Sequence, residues 1–253
     1  MYVVIITGTR KGIGNELANY YLEKGFIVAG CSRKKSSIEH ENYRHFMLDV
    51  SDEALVKDMV KSVKKDFGKI DALINNAGIA SMNHSLTTPY DTLKNIFETN
   101  MFGTFLFYRE VAKVMVRKNY GRIINFSTVA AGIRLEGEAS YAASKAAVAN
   151  FTQTAAKELG EFGVTVNAIA PTPVKTDLIR NVPEDKLNKL FEYQAIKRFG
   201  TFEDIKNFRN KFSIPMVLDS AAALGSTYED MGLGASSADV SVLSFNGNKL
   251  QPS

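Results

Sequence analysis

The sequence predicts an α/β protein with a doubly wound parallel sheet. Three observations carry that prediction. Short apolar or β-branched runs alternate with longer stretches of helical spacing from Val3 to Ile169. A glycine-rich turn, Thr7-Gly8-Thr9-Arg10-Lys11-Gly12-Ile13-Gly14, directly follows the first run and opens the first helical stretch. The composition, 45% apolar and 23% charged over 253 residues, is that of a globular chain with enough length for one large domain. Strand–helix alternation implies right-handed crossovers, with ligands bound at the carboxyl ends of the strands near the switch point.

The strands are expected at Val3 to Thr7, Phe26 to Cys31, His45 to Leu48, Ala72 to Asn75, Arg122 to Ser127 and Val164 to Ile169. Their near-continuous apolar character suits strands covered on both faces. The helices are expected at Ile13 to Lys24, Glu53 to Phe67, Leu93 to Lys118 and Ser140 to Phe162. In Leu93 to Lys118 the large residues Phe102, Phe105, Leu106, Phe107 and Val111 cover more than one helix face. Some are expected against the sheet and some against another subunit, unless the helix is simply well buried.

Composition excludes several classes of function. A net charge of +4, with scattered basic residues, gives no stripe for nucleic acid. The lone cysteine, Cys31, permits no internal disulfide and fits a reducing compartment. Its apolar surroundings predict a buried, inert thiol. The run Tyr2 to Ile6 is too short to span a bilayer or to serve as a signal core. A cytoplasmic protein with no membrane or nucleic-acid partner and no metal is expected.

The glycine turn is suited to phosphate. Glycines let the backbone turn tightly and approach a pyrophosphate. The N–H groups at the following helix start, with the helix dipole, favour an anion. Further along, Tyr141 and Lys145 stand four apart in A-S-Y-A-A-S-K-A-A. Positions i and i+4 share a helix face, so the ammonium can act on the phenol. The two motifs together suggest a proton donor beside a hydride carrier.

An ordered series of motifs now carries a resemblance from Met1 to about Asp204. It comprises the G-x-x-x-G-x-G loop, Leu48-Asp49-Val50, Asn75-Asn76-Ala77-Gly78, Asn100 in E-T-N-M-F-G, Y-x-x-x-K, and P-T-P-V-K-T-D from Pro171. The chain resembles the single-domain branch of the short-chain dehydrogenase/reductase family, and within it the 3-oxoacyl-carrier-protein reductases. The resemblance implies a Rossmann-type sheet, a nicotinamide cofactor and reversible carbonyl–alcohol chemistry. It also implies a homodimer or homotetramer.

An acidic residue after the second strand would select NAD. This chain has Gly30-Cys31-Ser32-Arg33-Lys34 instead. Arg33 can pair with a 2′-phosphate through its planar fork, with Arg10 and Lys11 adding charge. NADP(H) is therefore expected in preference to NAD(H). The family pattern places Gly8, Thr9, Arg10, Lys11, Gly12, Ile13 and Gly14 at the pyrophosphate. It places Asp49, with Val50 beside it, at the adenine ring, and Asn76, Ala77 and Gly78 at the adenosine ribose. Val174 and Thr176 match positions facing the nicotinamide carboxamide.

Tyr141 is the expected acid. A free phenol has a pKa of about 10, and an adjacent Lys145 ammonium is expected to lower it. The resemblance gives Lys145 a second task, holding the nicotinamide ribose, and gives Asn100 a relay water anchored at a local helix distortion. Where the family usually has a carbonyl-orienting serine, alignment back from A-S-Y places Thr128, with Ser127 as the alternative one position earlier. Threonine offers the same hydroxyl but a stiffer, bulkier side chain; an impaired site is the third reading.

Residues 177–197 are expected to form a substrate lid, with Leu178, Ile179, Val182, Leu187, Leu190, Phe191 and Tyr193 on it. Those residues suit an apolar or acyl-type substrate, or equally pack the lid onto the body. Met82 and His84 are candidates for the pocket border, His84 more simply being a surface loop residue. Residues 1–253 are read as one domain. Within it, 206–239 depart from the family pattern, with Pro215 interrupting any helix and Met231 to Ser237 rich in Gly, Ala and Ser. Val240 to Phe245 and Asn246-Gly247 resemble the last strand and its turn.

The leading expectation is an NADP(H)-dependent carbonyl–alcohol oxidoreductase, with 3-oxoacyl thioesters as one substrate class. The alternative is a non-catalytic NADP(H)-binding sensor on the same scaffold. A sugar-nucleotide enzyme fits less well, because the glycine spacing differs and little chain remains for a second substrate domain.

Overall fold

The computed structural model describes residues 1–206 except 180, 181, 183, 193, 195 and 196. The side chains of 185, 189, 190 and 206 are also outside the description. The unusual segment 206–239 and the strand expected at Val240 to Phe245 therefore lie outside it, Lys206 backbone excepted.

Six parallel strands form the sheet: β1 (Val3–Thr7), β2 (Ile27–Ser32), β3 (Tyr43–Met47), β4 (Ala72–Asn75), β5 (Gly121–Phe126) and β6 (Val164–Ile169). Their spatial order is β3-β2-β1-β4-β5-β6. Strand order reverses between β1 and β4, so a crevice opens at the carboxyl ends of those two strands. The doubly wound expectation is met.

Alternation along β1 builds two cores. Val3 and Ile5 face a layer with Phe107, Val111 and Met115 of α4 (Gly103–Val116) and Val56, Met59, Val60 and Val63 of α2 (Glu53–Phe67). Val4 and Ile6 face Leu17, Ala18, Tyr21 and Leu22 of α1 (Ile13–Glu23). The buried residues of both α1 and α2 recur at three- and four-residue spacing, one stripe per helix. Asp52 caps α2 by accepting from Leu55 N at 3.0 Å, and Gly68 ends it in the left-handed region.

The structure departs from the expected boundaries in two useful places. β3 starts at Tyr43, two residues before the expected His45, because Tyr43 pairs in register with Val28. Its Tyr-Arg start disguises a strand whose aromatic ring packs against the α1 layer. The single helix expected over Leu93 to Lys118 divides into α3 (Tyr90–Phe97), a π-helical turn over Glu98–Phe102, and α4. Phe107 and Val111 are fully buried, whereas Phe102 and Phe105 remain 54% and 36% exposed. A short helix, α5 (Ala130–Ile133), precedes the long α6 (Ala139–Gly160). Beyond β6, α7 (Glu184–Glu192) and α8 (Phe202–Lys206) complete the described elements.

Candidate active site

The glycine turn lies over the crevice. Gly8 N and Thr9 N both donate to Cys31 O, at 2.9 and 3.1 Å, so the turn is stitched to the end of β2. A Cβ on Gly14 would stand 2.4 Å from Gly8 O, which forbids any larger residue where the turn folds back on its helix. Asn76 supports the turn from below, donating from Nδ2 to Thr7 O at 2.9 Å. Thr7 Oγ1 accepts from the backbone N of Asn76 and Ala77 at 3.0 and 2.9 Å. Gly12, at the N-cap of α1, supplies no side-chain cap, so the helix start retains N–H groups for an anion.

The cationic residues flank this turn. Arg10 and Arg33 are exposed, and Lys11 forms an ion pair with Asp177 of the expected lid. Thr176 lies over the turn as well, its Cγ2 3.5 Å from where a Gly12 Cβ would be. Val174 bridges to Gly200. Asp49 is occupied locally: its carboxylate accepts from Ser51 N at 3.0 Å and Ser51 Oγ at 2.7 Å. Val50 is buried against Gly103. Asp49 and Val50 thus flank the crevice end of β3 without a bond to the glycine turn.

The second cluster sits where α6 meets the ends of β4 and β5. Tyr141, Lys145 and Asn100 are buried, at 8%, 4% and 0% exposure. The Thr128 hydroxyl accepts from Ala130 N at 3.3 Å and lies near enough to the Tyr141 phenol to favour its charged form. Ser127 turns the other way, donating to Lys145 O at 3.0 Å. Lys145 Nζ donates to Phe126 O at 2.7 Å. A Cβ on Gly78 would lie 3.2 Å from Asn100 Oδ1 and 3.3 Å from Lys145 Nζ, so the N-N-A-G segment borders the pair closely.

Asn100 lies in the π-helical turn, as the resemblance implies. Its side chain is a bracket rather than a free donor. Oδ1 accepts from Ile79 N at 2.8 Å, while Nδ2 donates to Ile79 O at 2.9 Å and to Ser144 Oγ at 3.0 Å. This fixes the N-N-A-G-I segment against α6.

One electrostatic expectation is overturned. Burial pushes Tyr141 up to about 12, the nearby Thr128 hydroxyl only partly opposing it and Glu138 reinforcing it. Desolvation outweighs any help from Lys145, whose own pKa burial lowers to about 8. Cys31 is fully buried and its thiol is pushed up to about 12, in keeping with an inert side chain.

The border residues divide. Met82 lies against the loop before α6, its Cγ 3.1 Å from a Cβ placed on Gly137. His84 is exposed and its Nδ1 accepts from Leu86 N at 3.3 Å, a surface turn residue. No motif signals the Tyr43–His45 pair beside the glycine turn, where Tyr43 Oη lies 2.8 Å from Thr9 Oγ1. Among the described residues no helix is long and apolar enough to cross a membrane.

Comparison with known proteins matches residues 2–187 to the short chain dehydrogenase family model. Residues 197–251 match a different model, that of the DegT/DnrJ/EryC1/StrS aminotransferase family. The 3-oxoacyl-(acyl-carrier-protein) reductase FabG of Staphylococcus epidermidis is 33% identical over 213 residues, covering 80% of this chain and 87% of its own. FabG of Escherichia coli is 29% identical over 81% of this chain and 86% of its own. Among solved structures, ElxO with NADP bound is similar with a TM-score of 0.75 and 29% identity, covering 83% and 90% of the two chains. The ligand-free aldohexose dehydrogenase of Thermoplasma acidophilum gives 0.73 and 28%, covering 80% and 83%.

Proposed function

Because the chain belongs to the short-chain dehydrogenase family, and is thereby an oxidoreductase that takes a nicotinamide cofactor, we propose that it is an NADP(H)-dependent enzyme interconverting a carbonyl and a secondary alcohol. The observation that carries the proposal is the burial of Tyr141 and Lys145 one helical turn apart on α6, with Lys145 Nζ and Asn100 Oδ1 both bordering Gly78 and the Thr128 hydroxyl beside the phenol.

The residues present fit a dinucleotide. The uncapped start of α1 and the close-packed Gly8–Gly14 turn suit a pyrophosphate. Arg33, Arg10 and Lys11 supply positive charge where a 2′-phosphate would need it, and β2 ends without a carboxylate. Asp49, Val50, Asn76, Ala77 and Gly78 would line the adenosine half, and Val174 and Thr176 the nicotinamide half. When bound, the nicotinamide supplies or accepts the hydride.

The chain's own residues handle the proton. Tyr141, held as a phenol by its burial, donates to the carbonyl oxygen. The Thr128 hydroxyl orients that oxygen. Lys145 would hold the cofactor ribose through its ammonium, and Asn100 keeps the Ile79 segment and Ser144 in register around the pair. The likeness to FabG supports 3-oxoacyl thioesters as the substrate class. Exposed Phe102 and Phe105 support a homodimer or homotetramer, and the lone buried cysteine supports a cytoplasmic location.

The test is oxidation of NADPH with acetoacetyl thioesters and simple ketones, with NADH in parallel. Turnover with NADPH in wild type, and none with Tyr141→Phe, is the expected result. NADPH binding without turnover on any carbonyl would overturn it in favour of a sensor.

A further inference from the structure

The edge strand β3 carries two polar rings that the reaction described above leaves unused. Tyr43 Oη lies 2.8 Å from Thr9 Oγ1, in the glycine turn, and 2.9 Å from His45 Nδ1. The other ring nitrogen, His45 Nε2, lies 3.0 Å from Lys34 O and 3.2 Å from Ser32 Oγ. Ser32 Oγ itself donates to Lys34 O at 2.6 Å. Two points of the 32–36 loop, the Ser32 hydroxyl and Lys34 O, are thus tied to His45 and through it to Tyr43.

The chemistry of the partners gives this chain a direction. Lys34 O only accepts, so in the neutral ring Nε2 carries the proton and donates to it. Nδ1 then accepts from the Tyr43 hydroxyl. Tyr43 Oη in turn accepts from the Thr9 hydroxyl. One continuous line of hydrogen bonds runs from the phosphate turn to the backbone between Arg33 and Lys35.

Gly30 is a second, independent mark of the same device. A Cβ there would lie 2.4 Å from Tyr43 Oη and 2.5 Å from Thr9 Oγ1. Only glycine in the middle of β2 leaves room for the two hydroxyls to meet across the strand. Thr9 is fully buried, so its side chain serves this contact and not solvent.

We propose that Tyr43 and His45 are positioning residues for cofactor discrimination, holding the cationic Arg33–Lys35 loop against the glycine turn so that it meets the adenosine 2′-phosphate. The inference rests on the NADP(H) reading above. An exposed Arg or Lys on a free loop forfeits much of its pairing energy to conformational entropy; a loop fixed beforehand forfeits less. The loop they hold carries Arg33, the candidate partner of the 2′-phosphate that NADPH alone has, so the effect is expected on NADPH far more than on NADH.

The experiment is fluorescence titration of the full-length protein with NADPH and NADH. It compares wild type with Tyr43→Phe, His45→Ala, His45→Gln and Arg33→Ala. Tyr43→Phe keeps the ring packing and loses both hydroxyl bonds. It and His45→Ala are each expected to weaken NADPH about five- to tenfold and to change NADH by less than about twofold. His45→Gln retains an amide donor toward Lys34 O and is expected to recover most of the loss. Parallel weakening of both cofactors, or no change in either, overturns the inference. If Arg33→Ala weakens NADPH alone while the β3 variants do not, the NADP(H) reading stands and the positioning role falls. If wild type binds both cofactors equally and Arg33→Ala changes neither, the reading itself falls, and the inference with it. Should His45→Ala fail to fold, Tyr43→Phe decides.

Discussion

Ser127 and Thr128 are adjacent at the end of β5, yet their hydroxyls serve opposite partners. Ser127 Oγ donates to Lys145 O at 3.0 Å, inside α6, whereas Thr128 Oγ1 accepts from Ala130 N at 3.3 Å and lies beside the Tyr141 phenol, whose pKa it lowers. Both lie just past Phe126, where the chain leaves β5 and turns into α5, and that turn separates a scaffold hydroxyl from one beside the phenol. Thr128→Ala is expected to lower kcat/KM by roughly a hundredfold, the scale of losing one oriented donor to a reacting oxygen. Thr128→Ser should retain most activity. Ser127→Ala should change kcat by less than about threefold and cost about 1 kcal/mol of stability, the scale of one buried hydrogen bond. Steady-state kinetics and urea denaturation of the three variants separate the roles; a larger kinetic loss in Ser127→Ala reverses the assignment.

The pH dependence of carbonyl reduction should come from Lys145. A donor must be a phenol, and Tyr141 stays one up to about 12. Lys145 loses its ammonium through about 8. The profile of kcat/KM reports the free enzyme. It is expected to be level near neutrality and to fall above about pH 8, and a profile level to pH 10 would exclude Lys145 as the controlling group.

Lys145 should also cost stability. Its folded pKa is lowered from 10.5 to about 8, so the unfolded chain holds the proton more tightly. That difference corresponds to roughly 3 kcal/mol against the folded state below pH 8. The penalty shrinks as pH rises from about 8 to 10.5, because there the unfolded state binds more protons than the native one. Lys145→Met is therefore expected to be inactive yet at least as stable as wild type at pH 7. Its advantage should narrow at pH 10, as thermal denaturation at both values will show.

How much of this was legible beforehand depends on whether the signal was local. Three strands and the α2 helix were read to the residue, because their apolar runs end at Gly, Asp or Asn. The glycine turn and Tyr141–Lys145 were legible for the same reason, a short motif whose spacing is its geometry. The π-helical turn was not. Nothing in E-T-N-M-F-G alone separates it from regular helix; it is held by Asn100 bonding Ile79, twenty-one positions away. The direction of the Tyr141 shift was missed because it depends on how deeply α6 is packed, which spacing does not report. The Tyr43–His45 pair needed the register of β2 against β3. The change of character after Ile205 was legible, and the separate match of residues 197–251 to an aminotransferase model accords with it.

Asn100 offers the sharpest test of the π-helical turn. Its amide makes three bonds, to Ile79 N, Ile79 O and Ser144 Oγ, with no exposure to solvent. Asn100→Ala orphans Ile79 N and Ile79 O and leaves Ser144 Oγ only its bond to Tyr141 O, and it should destabilise the fold by roughly 2–4 kcal/mol, since each orphaned group keeps its desolvation penalty. Asn100→Asp keeps an acceptor for Ile79 N but offers no amide donor to Ile79 O or Ser144, and buries a carboxylate besides. It should be no more stable than the alanine variant near neutrality. The carboxyl is neutralised at lower pH, so the aspartate variant alone should regain stability as pH falls toward 5, its folded pKa being raised by burial. Parallel urea melts at pH 5 and 8 decide the matter: an aspartate variant as stable as wild type at pH 8 would mean that the Nδ2 bonds are dispensable and that regular packing, not the amide bracket, holds the turn.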